Sequence, residues 1–273
     1  MNFHEFTTQV ISEMRRRFPG YDIQVQEVPK LQGESYTGMA IHPSGGDIAL
    51  TMDLEALFDR FRNDLYLGNP MKAIEREIKE AVAQMPQFDT EALTNYERMK
   101  EKLTLQLVPS AKNKNLLTDI PHRNIEDMAL AYRFDIGHNK RTSFSILVTN
   151  KMLNAYGISA AQLHDDALEA ASHSCPATLR NMNEVIHNMA GQTDPSPMWV
   201  ASIENGQNGA CVIQYPHFLD DAAETLGGSF YVLPSSIHEV LLLADDTSPS
   251  LSELENMVRT INQAEVAPEE RLS

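Results

Sequence analysis

Apolar runs long enough to cross a membrane are missing from this chain. Stretches such as Val240 to Ala244 are strand-sized, far short of the roughly 18 residues a membrane helix needs, so a soluble protein without a membrane partner is expected. The opening Met1-Asn2-Phe3-His4-Glu5-Phe6 has neither the basic region nor the apolar core of a secretory signal, which points to the cytoplasm. Cysteine is scarce: Cys175 and Cys211 are too few and too far apart for a metal knuckle or a disulfide framework. The glycines form no G-x-G-x-x-G or P-loop pattern, so nucleotide binding lacks its usual cradle and no cofactor is expected. Basic residues are missing from one long stretch, since no Lys or Arg stands between Arg180 and Arg259.

What is present is acid. The 273 residues carry 22 basic and 38 acidic side chains, a formal net charge of −16. Up to Lys102 there are 12 basic and 17 acidic residues, from Leu103 to Asn150 6 and 4, and from Lys151 onward 4 and 17. The C-terminal half therefore carries a negative potential little interrupted by counter-charge. Direct nucleic-acid binding there is disfavoured, because affinity for a phosphate backbone comes largely from Lys and Arg. The charge serves either solubility or contact with a basic partner protein, one form of which is imitation of nucleic acid.

The periodicity predicts an α+β fold with mainly antiparallel or mixed sheets packed against helices. Phe3, Phe6, Val10, Ile11, Met14 and Phe18 recur at spacings of three and four, one apolar helical face that Pro19-Gly20 ends. Three short extended runs follow, through Ile23, Val25 and Val28, then Tyr36, Met39 and Ile41, then Ile48, Leu50 and Met52. Turn-rich segments at Lys30 to Glu34 and Pro43 to Gly46 separate them, which makes a β-meander. Asp53 reads as the N-cap of a helix, Met71 to Met85 as a second that Pro86 stops, and Asp89 to Leu103 as a third. Leu103, Leu105 and Leu107 alternate into Pro109. Met128 to Ile136 and Phe144 to Val148 predict a hairpin about a Gly137 to Arg141 turn. Helices at Asn150 to Tyr156 and from Ser159, a turn or helix from Pro176, and a Gly191 to Pro197 loop come next. Strands Met198 to Ile203 and Ala210 to Tyr215 then flank Asn-Gly pairs that read as a hairpin turn. A helix from Phe218 to Leu226, strands Ser229 to Pro234 and His238 to Ala244, a helix capped by Ser250 and a polar tail complete the chain. The expected division falls near residues 86 to 102, giving an N-terminal region 1–100 and a C-terminal domain 101–273 with the acidic surface.

Three stretches resemble an uncharacterised bacterial family, the domain of unknown function numbered 5688. They are Ser145 to Asn150, Gly227 to Val240 and Val266 to Ser273, and the helix-plus-meander start is similar too. The resemblance covers most of the chain, which stops where a short further tail is expected. It implies a bacterial, intracellular protein and brings no catalytic residues.

Ser235-Ser236-Ile237-His238-Glu239 places hydroxyl, imidazole and carboxylate together, as in a hydrolase. If His238 begins a strand, however, Glu239 points to the opposite face and only Ser236 shares the imidazole's face. Turn chemistry or partner contact is the better reading of Ser236, His238 and Glu239. His217 with Asp220 or Asp221 has a two-ligand helical spacing, and His164-Asp165-Asp166 sets an imidazole beside carboxylates. Solvated helix faces explain both, and no metal is expected. His173-Ser174-Cys175-Pro176 puts a thiol near a base, but in an acidic setting that does not favour a thiolate. Asp119 to Arg123, near Lys112, Lys114, Lys140 and Arg141, is a candidate small anion site or a mixed surface loop.

These readings lead to a non-enzymatic protein that binds a protein partner with a basic surface. Asp220, Asp221, Ser236, His238, Glu239, Asp245 and Asp246 are the candidate contacts. The narrower alternative is a mobile-element or phage-type inhibitor that masks a basic groove by imitating nucleic acid. The competing class is an enzyme whose site assembles from distant residues such as His122, His217 and His238, which would then converge in one pocket.

Overall fold

The computed structural model describes residues 1–33, 35–43, 49–63, 65, 68–84, 90–138, 143–187, 196–245 and 250–272. Asp246, Lys140, Arg141, Ser44 to Gly46, Pro86 and most of the Gly191 to Pro197 segment lie outside them. The chain is α+β with antiparallel sheets. Contacts divide it into two compact units, Met1–Glu91 with Gly137–Phe144, and Ala92–Ile136 with Ser145–Ser273.

The first unit opens with α1 (Phe3–Arg17), started by a capping box in which Glu5 N donates to Asn2 Oδ1 at 2.9 Å and Asn2 N to Glu5 Oε2 at 3.0 Å. Its Phe6, Val10, Ile11 and Met14 are buried on one face. The meander is β1 (Tyr21–Val28), β2 (Tyr36–Pro43) and β3 (Leu50–Asp53), with Ile23 opposite Ile41 and Met39 opposite Met52. Asp53 caps α2 (Leu54–Arg62) by accepting from Ala56 N, and α3 (Pro70–Gln84) follows. Met14, Ile23, Met39, Ile41, Leu57 and Ile74 meet in one core, each apolar side chain contributing about 1.5–3 kcal/mol on full burial.

The predicted helix from Asp89, itself outside the described residues, is broken where the first unit gives way to the second. A 3-10 turn, Thr90–Thr94, is followed by the one-turn α4 (Tyr96–Met99), which Asn95 caps, and by a second 3-10 turn, Lys100–Lys102. Asn95 turns its side chain back onto Arg98 N, a local bond that competes with continuous helix. One sheet contains β4 (Leu103–Pro109), β5 (His122–Ile125) and β6 (Met128–His138) in the order β4-β6-β5, with β7 (Ser143–Leu147) also paired to β6. The short α5 (Lys114–Leu117) lies between β4 and β5. Beyond β7, α6 (Asn150–Tyr156) is closed by Gly157 at φ 68°. Ser159 then caps α7 (Ala160–Ser174), whose Leu163, Ala167 and Ala171, spaced by four, are buried, and α7 packs on β4.

The other sheet holds β8 (Ala177–Asn181), β9 (Met198–Ile203), β10 (Phe230–Ser236) and β11 (Glu239–Ala244) in the order β10-β11-β9-β8. Pro176 thus leads into a strand, with α8 (Met182–His187) after it. The hairpin predicted across the Asn-Gly pairs does not form, because β9 already has β8 on one side and β11 on the other and offers no edge. Residues Gly209–Gln214 instead make a 3-10 turn with Ala210, Cys211 and Val212 buried, packed against β9, β11 and β4. Then come α9 (Phe218–Leu226), which Gly227 ends at φ 83°, and α10 (Leu251–Glu265), started by a Ser250–Glu253 capping box. Leu254 of α10 joins Val200, Leu233, Leu241 and Leu243 in the core of this sheet.

Candidate functional site

The turn between β10 and β11 is a junction of four segments. Ser236 pairs with Glu239 across it, so His238 lies in the turn itself and not at the start of a strand. The Ser236 hydroxyl, buried, accepts from His238 N at 3.1 Å. Ser202 Oγ of β9 donates to the His238 carbonyl at 2.7 Å, and Ala210 N to the Ile237 carbonyl at 3.2 Å. From the C-terminal segment, Glu270 O accepts from Ile237 N at 2.8 Å, and Arg271 bridges Ser236. Asn208 N donates to His238 Nδ1 at 3.2 Å, which assigns that nitrogen as an acceptor and places the neutral ring's proton on Nε2, 3.4 Å from Glu270 Oε1. Hydroxyl and imidazole are each engaged by backbone and share no hydrogen bond among the described residues, so Ser236, His238 and Glu239 form a structural junction and lack the nucleophile–base hydrogen bond of a hydrolase.

Asp245 lies at the other end of β11, six residues from Glu239, roughly 20 Å away at the rise of a strand. Its backbone N donates to Ser229 O at 3.0 Å, and its carboxylate bonds the Tyr231 hydroxyl, which raises that phenol's pKa. Asp220 and Asp221 occupy the first turn of α9, where the helix dipole favours them, and both are exposed with Glu224 one turn on. Glu204 is exposed as well. Among the described residues none of Glu204, Asp220, Asp221, Glu224 and Glu239 has a Lys or Arg partner, whereas Glu13, Glu75, Glu77, Glu80 and Glu97 all do.

Between β10 and α10 runs a groove of about 400 Å³, lined by Tyr231 to Pro234 of the strand and by Leu254, Glu255, Val258 and Arg259 of the helix. A second groove, about 470 Å³, lies between the Lys100–Lys102 turn and α7 and is polar, with Glu101, Asp166, Glu169 and His173. There Tyr96 Oη donates to Asp166 Oδ2 at 2.6 Å, and Lys100 pairs with Glu97 at 2.7 Å. No group of three His, Cys, Asp or Glu among the described residues is placed to hold a metal ion.

The three histidines of the enzyme reading are not joined by any hydrogen bond or ion pair among the described residues. His122 Nδ1 lies 3.1 Å from Ile120 O at the head of β5, a strand where the sequence read a surface loop. His217 is exposed at a left-handed φ of 64° before α9, with no capping bond. A buried contact escaped sequence reasoning: Tyr132 Oη of β6 and His164 Nδ1 of α7 are 3.0 Å apart. Burial pushes Tyr132 up to about 12; burial, then nearby Arg123, lowers His164 below its ordinary value. Burial likewise pushes the Cys211 thiol up to about 12, while Cys175 is half-buried. The β10–α10 groove was also missed. Its only sequence signal was the alternation of Tyr231 and Leu233 with Val232, which does not say which strand ends at an edge.

A family profile described as "Family of unknown function (DUF5688)" matches residues 3–273. The chain belongs to that family. No curated protein and no solved structure matches it. No helix among the described residues of this family member is long and apolar enough to cross a membrane.

Proposed function

We propose that the C-terminal unit binds a partner protein with a basic surface, and that the protein works through this contact and not by catalysis. The observation that carries the reading is the set of exposed carboxylates Asp220, Asp221 and Glu224 on α9 and Glu204 just after β9, without Lys or Arg partners among the described residues. They lie within the stretch between Arg180 and Arg259 that holds no Lys or Arg. Carboxylates left unneutralised by their own chain attract a complementary surface and speed its encounter. The engagement of His122 and His238 by nearby backbone further supports contact over chemistry.

The test is capture from a lysate of the native host with the purified chain as bait, in about 50 mM and about 500 mM salt, where screening lengths differ about threefold. Recovery of one basic protein at low salt, lost at high salt and lost with the triple variant Asp220→Asn, Asp221→Asn, Glu224→Gln, is expected. Equal recovery by that variant would contradict the proposal.

A further inference from the structure

Among the described residues β10 is an edge strand, with β11 on one side only, and its backbone alternates in a way two bonds define. Asp245 N donates to Ser229 O, so Ser229, Tyr231 and Leu233 turn their peptide groups toward β11. Asn262 Nδ2 of α10 donates to Pro234 O at 3.2 Å, so Pro234, Val232 and Phe230 turn theirs outward. The far end of this edge is closed three times over. Pro234 has no N–H, Asn262 occupies its carbonyl, and the chain's own Arg271 pairs at Ser236. At the near end, Phe230 to Val232, no strand pairs among the described residues, and Val232 is 37% exposed.

The open length runs beside the β10–α10 groove. Four consecutive strand residues line that groove, and consecutive residues face opposite sides of a sheet, so it follows the strand edge and not one face. Its charges are ordered. Asp245 stands at the Phe230 end, Glu255 lies two turns before Asn262 on α10, and Arg259 lies between them.

We propose that this edge and groove take an extended segment of a partner protein by strand addition. The segment pairs with the outward peptide groups of Phe230 and Val232, places an apolar side chain between Leu233 and Val258, and sets a Lys or Arg beside Asp245 and Glu255. This deepens the acidic-surface reading and rests on it for the charge of the partner.

A phage-displayed random nonapeptide library selected against the whole chain tests the site, followed by fluorescence anisotropy of the enriched peptide. The expected result is a consensus of alternating apolar residues with a basic residue toward one end. Its binding weakens about tenfold in Val232→Pro, which removes an outward N–H and no ladder bond, and by a similar factor in Glu255→Lys. Circular dichroism of both variants should match the parent. No enrichment overturns the proposal. Basic peptides without alternation that bind Val232→Pro undiminished also overturn it while leaving the acidic-surface reading standing. A chain that elutes as a dimer, converted to monomer by Val232→Pro, gives the edge to a second copy and overturns it as well.

Discussion

A methyl group on Gly209 would stand 2.2 Å from Ser202 Oγ, 2.5 Å from the His238 carbonyl oxygen and 2.7 Å from Ile203 N. Two of those atoms are backbone, fixed by β9 and by the β10–β11 turn, so the clash cannot be relieved by a side-chain rotation. Gly209→Ala is expected to cost about 3 kcal/mol, read as a lower urea midpoint at unchanged slope. His164 makes a second prediction. Its folded pKa lies below 6.5 because burial disfavours the imidazolium, so between those two values the unfolded chain binds more protons than the folded one. Stability from this group is complete above pH 6.5 and is lost as pH falls below it toward the folded pKa. His164→Gln should flatten that part of the stability–pH curve, and an unchanged slope would contradict the assignment. The sequence placed His164 beside carboxylates on an exposed helix face, because local spacing shows Asp165 and Asp166 but not β6 with Tyr132 beneath. Ser236 and His238 were recognised as turn chemistry. The partners that hold them, Ser202, Asn208 and Glu270, are 30 to 36 residues away and share no local pattern.

At the scale of elements, α1, the meander, α6, α7, α9 and α10 were legible from apolar spacing and caps, since each buries a face within its own length and announces its ends with Asn, Asp, Ser, Thr or Gly. The Ala210 to Tyr215 run was not. Its apolar residues suit a strand, but strand pairing needs a free edge, and the order β10-β11-β9-β8 leaves β9 none. β8 was missed because five residues after Pro176 carry too little alternation to compete with the helical spacing of Leu179, Met182 and Val185. The C-terminal segment read as a polar tail, yet Leu272 is buried and Glu270 and Arg271 engage the β10–β11 turn. Leu272→Ala should therefore cost about 3 kcal/mol, measured by denaturant unfolding. A change below about 0.5 kcal/mol, the size of a surface substitution, would show that the segment does not brace the hairpin.

For the whole molecule, the charge was fully legible because it is a sum over residues, whereas its arrangement required the fold. Ion pairs join Glu13, Glu75, Glu77 and Glu97 to arginine or lysine within residues 13–100, while the carboxylates of α9 have no such neighbours among the described residues. The candidate contacts are also spread, with Glu239 and Asp245 at opposite ends of β11 and Asp220 and Asp221 on α9. That spacing suits a broad complementary surface better than a pocket. The function proposed for this arrangement is electrostatic docking of a basic partner. Its most direct test is the dissociation constant of the captured partner for the parent chain and for Asp220→Asn, Asp221→Asn, Glu224→Gln, across a salt series. An affinity about tenfold weaker is expected for the variant at low salt, with a shallower salt dependence, because screened charge pairs are removed. Equal affinities and parallel salt curves would contradict it.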